Sequence, residues 1–201
     1  MQITDIQEIP NVSPDIIKLL NSAILEEKPD LVVLTGDQIK GYGTSYKIKD
    51  KNLFDVVKDT LEILLKPIVD AKIPYAVTFG NHDRQVGLTN EEQFEIYKTF
   101  EGFVGESDDG VDGVGNHCFE IKDGDEVKFL LYTIDSHSNL KVGYDCVHEN
   151  QIDWYRAIRD SYEQKLGKVV PSVVIQHIPV CEVFDLLKKV IEYGRVGGYE
   201  R

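Results

Sequence analysis

The chain has 201 residues, of which 42% are hydrophobic and 28% are charged, a composition typical of one globular domain with a sizeable core. Its 35 acidic and 22 basic side chains give a formal net charge of −13, and it lacks a run of Lys and Arg that could follow a nucleic-acid backbone. No apolar stretch reaches the roughly 18 to 20 residues that span a bilayer, and the first residues do not resemble a signal peptide. We therefore expect no nucleic-acid wrapping, no membrane span and no export.

The cysteine pattern bears on the cellular compartment. Cys118, Cys146 and Cys181 are odd in number, widely spaced and free of any CxxC motif. This pattern argues against a disulfide framework and against a structural zinc site. We expect a reducing compartment and hence a cytoplasmic protein.

In the first half of the chain, short apolar runs alternate with amphipathic stretches, as strands alternate with helices in layered α/β proteins. Ser13 is a candidate N-cap for a helix of about a dozen residues that closes at Lys28-Pro29. The apolar run 31–34 predicts a strand buried on both faces. A second helix over residues 56–65 and another strand over residues 73–79 follow it.

The next segment contains one helix and a pair of strands. A helical pattern lies near residues 91–100, and strand-like patterns cover residues 117–121 and 127–134. Asp123-Gly124-Asp125 between the two strands is a hairpin signal. We therefore expect part of the sheet to be antiparallel.

The last segment completes the predicted fold. Asn150 is a candidate cap for a helix, residues 169–175 predict a strand, and a short helix runs through Leu186 and Leu187. The glycine-rich tail 194–199 predicts a loop with no element after it. The fold class is α/β, with a layered mixed β-sheet core flanked by helices in one domain over residues 1–201.

Polar side chains follow several predicted strands at the point where each strand ends: Asp5, Asp37, Asn81 with His82, and His177. Ligands bind outside the carboxyl ends of the strands in open α/β sheets, so we expect these side chains to converge. Asp, Asn and His suit a divalent metal of intermediate hardness. Two such ions roughly 3.5 to 4 Å apart can clamp the attacking and leaving oxygens of a displacement at phosphorus.

Each of these residues also has a simpler interpretation. Gly36-Asp37 can be only a turn, Asp5 a simple cap, and Asn81-His82-Asp83 an Asx-turn with a helix cap. His177 can bond a neighbouring backbone group. Their joint placement at strand ends, in this order, favours the functional interpretation.

Four segments resemble the motifs of the calcineurin-like metallophosphoesterase superfamily: Asp5-Ile6-Gln7, Gly36-Asp37, Gly80-Asn81-His82-Asp83 and His177. Residues 34–39 and 132–136 are most similar to the branch related to purple acid phosphatases. The resemblance covers essentially the whole chain, and Gly-Asn-His-Asp is its most specific element.

The resemblance implies a metal-dependent phosphohydrolase with two divalent ions, Mn, Fe or Zn. Asp5 and Gln7 would lie in the first metal site, and Asp37 would bridge both ions. Asn81 and His177 would bind the second ion. The expected reaction is hydrolysis of phosphate mono- or diesters by metal-activated water, on a small-molecule or phosphoprotein substrate.

Catalytic roles are implied for the two residues after Asn81. His82 would protonate the leaving oxygen or stabilise charge on the phosphoryl group, and Asp83 would orient its ring. His137, in a loop at a strand end, is a candidate for substrate contact, with a solvated loop residue as the alternative.

The chain departs from the family pattern at three places. Gln7 stands where the family commonly has a histidine, and Lys40 stands where purple acid phosphatases have a metal-binding tyrosine, so no iron(III)–tyrosinate centre is expected. No histidine follows His177, so the terminal Gly-His-x-His element and its strands are expected to be missing from a truncated domain. The alternative function is a catalytically impaired module that binds a metal or another ligand.

Overall fold

A parallel three-stranded sheet with helices occupies the N-terminal half of the chain. The computed structural model describes residues 1–180, 182–193, 195–196 and 199–200. The first elements are β1 (Gln2–Ile3), α1 (Pro14–Glu27), β2 (Val32–Thr35), α2 (Leu53–Asp70), β3 (Tyr75–Thr78), a 3-10 turn (Asp83–Val86) and α3 (Asn90–Lys98). β2 lies in the centre with β1 and β3 on either side, and both pairings are parallel.

The predicted strand over residues 31–34 is confirmed as β2, whose four residues are all buried, as are those of β3. Strands buried on both faces read as continuous apolar runs because no face meets water. The predicted cap of α1 is also confirmed, since the Ser13 side chain accepts a hydrogen bond from the Asp15 N–H. α1 ends at Glu27, and its C-cap Lys28 is in the left-handed conformation directly before Pro29.

A second three-stranded sheet is mixed. It contains β4 (His117–Asp123), β5 (Glu126–Thr133) and β6 (Ser172–Ile175), with β5 in the centre. β4 and β5 are antiparallel and joined at Gly124-Asp125, which confirms the predicted hairpin, and β6 pairs parallel to β5. The layered α/β prediction is therefore confirmed, with the strands divided between two sheets.

Two expectations for the last segment need correction. α4 (Glu149–Leu166) is capped by His148, not Asn150, because the Gln151 side chain turns back and accepts the His148 N–H at 2.7 Å. After α5 (Glu182–Tyr193), the predicted loop contains two short antiparallel strands, β7 (Arg195–Val196) and β8 (Tyr199–Glu200). Three glycines of this tail lie outside the residues that the structure describes: Gly194, Gly197 and Gly198. Cys181 also lies outside them.

Cys118 and Cys146 are free thiols. Among the helices that the structure describes, none is long and apolar enough to cross a bilayer.

Candidate metal centre

The candidate ligands come from turns that follow β1, β2, β3 and β6. The turn after β1 runs beside the turn after β2, with the Asp5 N–H bonded to the Gly36 carbonyl and the Gln7 N–H bonded to the Asp37 carbonyl. Asp5, Gln7 and Asp37 all have φ between 51° and 55°. This left-handed backbone conformation is unusual for residues other than glycine, and such residues are concentrated at functional sites. The backbone is thus held in a strained form at three of the five predicted metal residues.

Two glycines let these turns approach closely. A Cβ on Gly36 would overlap the backbone of Gly80, and a Cβ on Gly80 would overlap the carboxylate of Asp37. Glycine is therefore required at both positions by space, and at Gly36 also by its φ of 93°.

His177 has a defined tautomer when neutral. Its Nδ1 lies 2.9 Å from the Thr35 carbonyl, which can only accept, so Nδ1–H is the donor and Nε2 carries the lone pair. Nε2 lies 3.1 Å from Asn81 Oδ1 and 3.5 Å from Asp37 Oδ2. Three acceptor atoms from three separate turns therefore point at one another, an arrangement that calls for a cation.

The contact between His177 and Asp37 shifts the pKa of both side chains. Burial acts to lower the pKa of His177, but the Asp37 carboxylate outweighs burial and raises this pKa. Burial likewise acts to raise the pKa of Asp37, yet hydrogen bonds from His177 and from the His82 N–H hold it below its usual value. The contact thus favours a cationic imidazole beside an ionised carboxylate.

Gln7 contacts the same carboxylate through its amide nitrogen. Gln7 Nε2 donates to Asp37 Oδ2 at 3.4 Å, and Gln7 Oε1 accepts from the Tyr42 hydroxyl at 3.1 Å. The amide oxygen predicted as a metal ligand is thus bonded to Tyr42 in this structure. The ligand role of Gln7 stays a prediction that requires the amide to turn.

Asp83 does not orient the His82 ring, so this expected role is wrong. The buried Asp83 carboxylate instead accepts from the backbone N–H groups of Asp37 at 2.7 Å and Gly80 at 2.8 Å. Burial raises the pKa of Asp83 to about 6 against these bonds. The partner of His82 Nδ1 is Gln85 Oε1 at 2.9 Å. In the sequence, Gln85 follows His82 by three residues, which is one turn of a 3-10 helix, and this spacing could have indicated the contact.

All five predicted metal residues line one cleft of about 320 Å³, together with His82 and Tyr144. The expected convergence of strand-end residues is therefore present. Tyr42, which was not predicted, lies with its ring centroid 4.5 Å from that of His82. His137 is not among the residues that line this cleft, so its predicted contact with substrate stays a prediction.

Comparisons with known proteins agree with this geometry. A family model described as calcineurin-like phosphoesterase matches residues 1–190. Phosphatase DCR2 of Saccharomyces cerevisiae is 33% identical over 180 residues, which cover 81% of this chain and 28% of that protein. "Probable inactive purple acid phosphatase 14" of Arabidopsis thaliana is 26% identical over 197 residues, covering 86% and 47%. The chain thus spans less than half the length of either curated relative.

Among solved structures, a dimetal phosphatase from Danio rerio is similar with a TM-score of 0.60, covering 96% of this chain and 76% of that chain. The sequence identity is 12%, so this likeness concerns the fold alone.

Proposed function

The chain belongs to the calcineurin-like phosphoesterase family, and from this premise we propose that it is a metal-dependent phosphohydrolase of phosphate mono- or diesters. One observation carries the proposal. The lone pair of His177 Nε2, after β6 of the second sheet, faces Asn81 Oδ1 and Asp37 Oδ2 at the carboxyl ends of β3 and β2. Such a set of oxygen and nitrogen acceptors suits a first-row dication.

Asp5 adds another carboxylate to this set. One ligand atom each from Asp5, Asp37 and His177 lies within 4.8 Å of the others, as ligands of a metal ion would. Bound Mn, Fe or Zn ions would activate water near neutral pH and offset charge on the phosphoryl group. We propose that Asp5 serves the first ion, Asn81 and His177 the second, and Asp37 both.

His82 is the residue of this chain best placed to move a proton. Its Nδ1–H donates to Gln85 Oε1, which leaves Nε2 for the substrate. In the imidazolium form, Nε2–H can protonate the leaving oxygen or bind a phosphoryl oxygen. The Tyr42 ring packs against His82 and limits its rotation.

Hydrolysis of p-nitrophenyl phosphate and bis-p-nitrophenyl phosphate with added Mn²⁺ or Zn²⁺ tests this function and separates monoesterase from diesterase activity. Asp37→Asn should lower kcat/KM by about 100-fold or more, because the shared carboxylate would be lost. The exposed Asp30→Asn is the matched control and should keep the wild-type rate. Equal rates for wild type and Asp37→Asn, unaffected by a chelator, would overturn the proposal.

A second candidate function is a metal- or ligand-binding module without turnover. The contact that favours it is Gln7, whose amide nitrogen, not its oxygen, faces Asp37. This candidate predicts metal uptake at the cleft without ester hydrolysis under any metal. A Gln7→His variant that gains hydrolysis would show that the missing imidazole limits activity.

A further inference from the structure

A second group of potential metal ligands lies outside the cleft, where the loop after β5 meets the start of α4. It consists of His137, Asp145 and His148, each partly buried. A ring nitrogen of each histidine and a carboxylate oxygen of Asp145 lie within 4.8 Å of one another. The two imidazole rings stack with centroids 3.9 Å apart and planes inclined by 21°.

A buried glutamine defines the tautomer of the first histidine. Gln151 is fully buried, and its amide nitrogen donates to the Asp135 carbonyl at 2.7 Å and to Asn116 Oδ1 at 3.0 Å. Gln151 Oε1 therefore faces His137 Nε2, 3.0 Å away, as an acceptor. His137 Nε2–H must donate, so in the neutral ring the lone pair lies on Nδ1.

A carboxylate defines the tautomer of the second histidine. His148 Nδ1 lies 2.7 Å from Asp112 Oδ2, which accepts, so the neutral ring carries its lone pair on Nε2. Nε2 lies 3.3 Å from Asp145 Oδ1. That separation matches the edge of a tetrahedron with metal–ligand bonds of about 2.0 to 2.1 Å. An outer carboxylate behind a ligating imidazole is also the usual second shell of a zinc site.

Each imidazole is therefore held by an outer acceptor, and the remaining lone pair of His148 Nε2 faces the Asp145 carboxylate. Two protonated rings stacked 3.9 Å apart would repel each other, so protons alone satisfy the group poorly. Imidazole lone pairs lie in the ring plane, and the two stacked planes are nearly parallel, so one ring has to turn before a single dication can bind both nitrogens and the carboxylate.

We propose that His137, Asp145 and His148 bind a zinc-type dication, separate from the ions of the cleft. Two imidazole nitrogens and a carboxylate oxygen are a common ligand set for Zn²⁺, with water completing the shell. The ion would tie both ends of the loop 137–148, which carries Tyr144 at the wall of the cleft. It would thereby order a loop whose own backbone bonds run from the Leu140 N–H to the Gly143 carbonyl and from the Asp145 N–H to the Ser138 carbonyl.

Two substitutions remove ligands while preserving the local backbone. His148→Ser keeps a residue that caps a helix well. His137→Asn suits the φ of 64° at this position, because asparagine tolerates the left-handed region. Asp145→Asn is a third variant that retains shape and removes charge. The matched control is Asp30→Asn, which removes an exposed carboxylate that belongs to none of the described groups of potential metal ligands.

The measurement is the number of Zn²⁺ ions bound per chain to the full 201-residue protein, by elemental mass spectrometry after gel filtration and by calorimetric titration with Zn²⁺ alone. We expect each of the three variants to lose one ion per chain and Asp30→Asn to lose none. Wild-type stoichiometry in both His148→Ser and Asp145→Asn would overturn the proposal, as would an equal loss in Asp30→Asn. Asp37→Asn should keep this ion whether or not the chain hydrolyses esters, so the outcome is independent of the proposed function.

Discussion

The backbone N–H of Asp37 donates a 2.7 Å hydrogen bond to the carboxylate of Asp83, 46 residues further along the chain. The same carboxylate accepts from the N–H groups of Gly80, at 2.8 Å, and Gln38, at 3.0 Å. One buried side chain therefore joins the turn after β2 to the turn after β3. These turns carry the two residues, Asp37 and Asn81, whose spacing a shared metal site requires.

Replacing Asp83 with asparagine should destabilise the fold by about 2 to 4 kcal/mol, because the new amide nitrogen would face backbone N–H donors and leave them unpaired. Urea denaturation of the metal-free protein measures this change. Asp30→Asn, at an exposed position, should stay within about 0.5 kcal/mol of wild type. Equal midpoints for the two variants would show that the Asp83 bonds contribute little.

Gly80→Ala should weaken metal binding at the cleft by about 10-fold or more, because the new Cβ would overlap the Asp37 carboxylate and displace it. Calorimetric titration with Mn²⁺ measures the affinity. Gly43→Ala is the control, since Gly43 also lies in a loop, has a positive φ and faces open space. It should cost backbone strain but retain the affinity. If Gly80→Ala bound Mn²⁺ with wild-type affinity, the close approach of Gly80 to the Asp37 carboxylate would not matter for metal binding.

His82→Ala should lower kcat on esters with poor leaving groups by about 100-fold or more, if the ring protonates the leaving oxygen. The loss should be smaller for p-nitrophenyl esters, whose leaving group needs less protonation. Comparing alkyl and nitrophenyl phosphates for both proteins measures this difference. An equal loss on both substrates would assign His82 to charge stabilisation instead.

Gln85→Ala should lower kcat on alkyl phosphates by about 10-fold, because Gln85 Oε1 is the acceptor that holds His82 Nδ1–H and thereby orients the ring. Gln85→Glu keeps an acceptor oxygen at this position and should lose less. The kcat of the three proteins on one alkyl phosphate measures the difference. Wild-type kcat in both variants would remove Gln85 as the positioning residue.

Cys118 should react slowly with iodoacetamide. Burial raises the pKa of the Cys118 thiol to about 11 from 9.0, so less of it is thiolate. At pH 8 this shift lowers the thiolate fraction roughly 100-fold. Peptide mapping should show the exposed Cys146 modified first and Cys118 accelerating as the pH rises. Faster labelling of Cys118 than of Cys146 at pH 8 would show that burial does not protect the Cys118 thiol.

The sequence alone determined the layered α/β class and the approximate position of the candidate metal centre. Buried strands are continuous apolar runs, and chemistry-bearing residues follow their carboxyl ends, so Asp5, Asp37, Asn81 and His177 could be grouped before any coordinates. Local sequence signals were also sufficient to predict the Ser13 cap, because a helix cap involves residues within one helical turn.

The tertiary structure decided which atoms meet. Asp83 lies next to His82 in sequence, yet it bonds to backbone groups 45 and 46 residues away, while His82 bonds to Gln85. His148 likewise caps α4 and meets His137 only through the path of the intervening loop. Loop paths and side-chain rotamers depend on packing between distant segments, and hydrophobic periodicity carries no information about them.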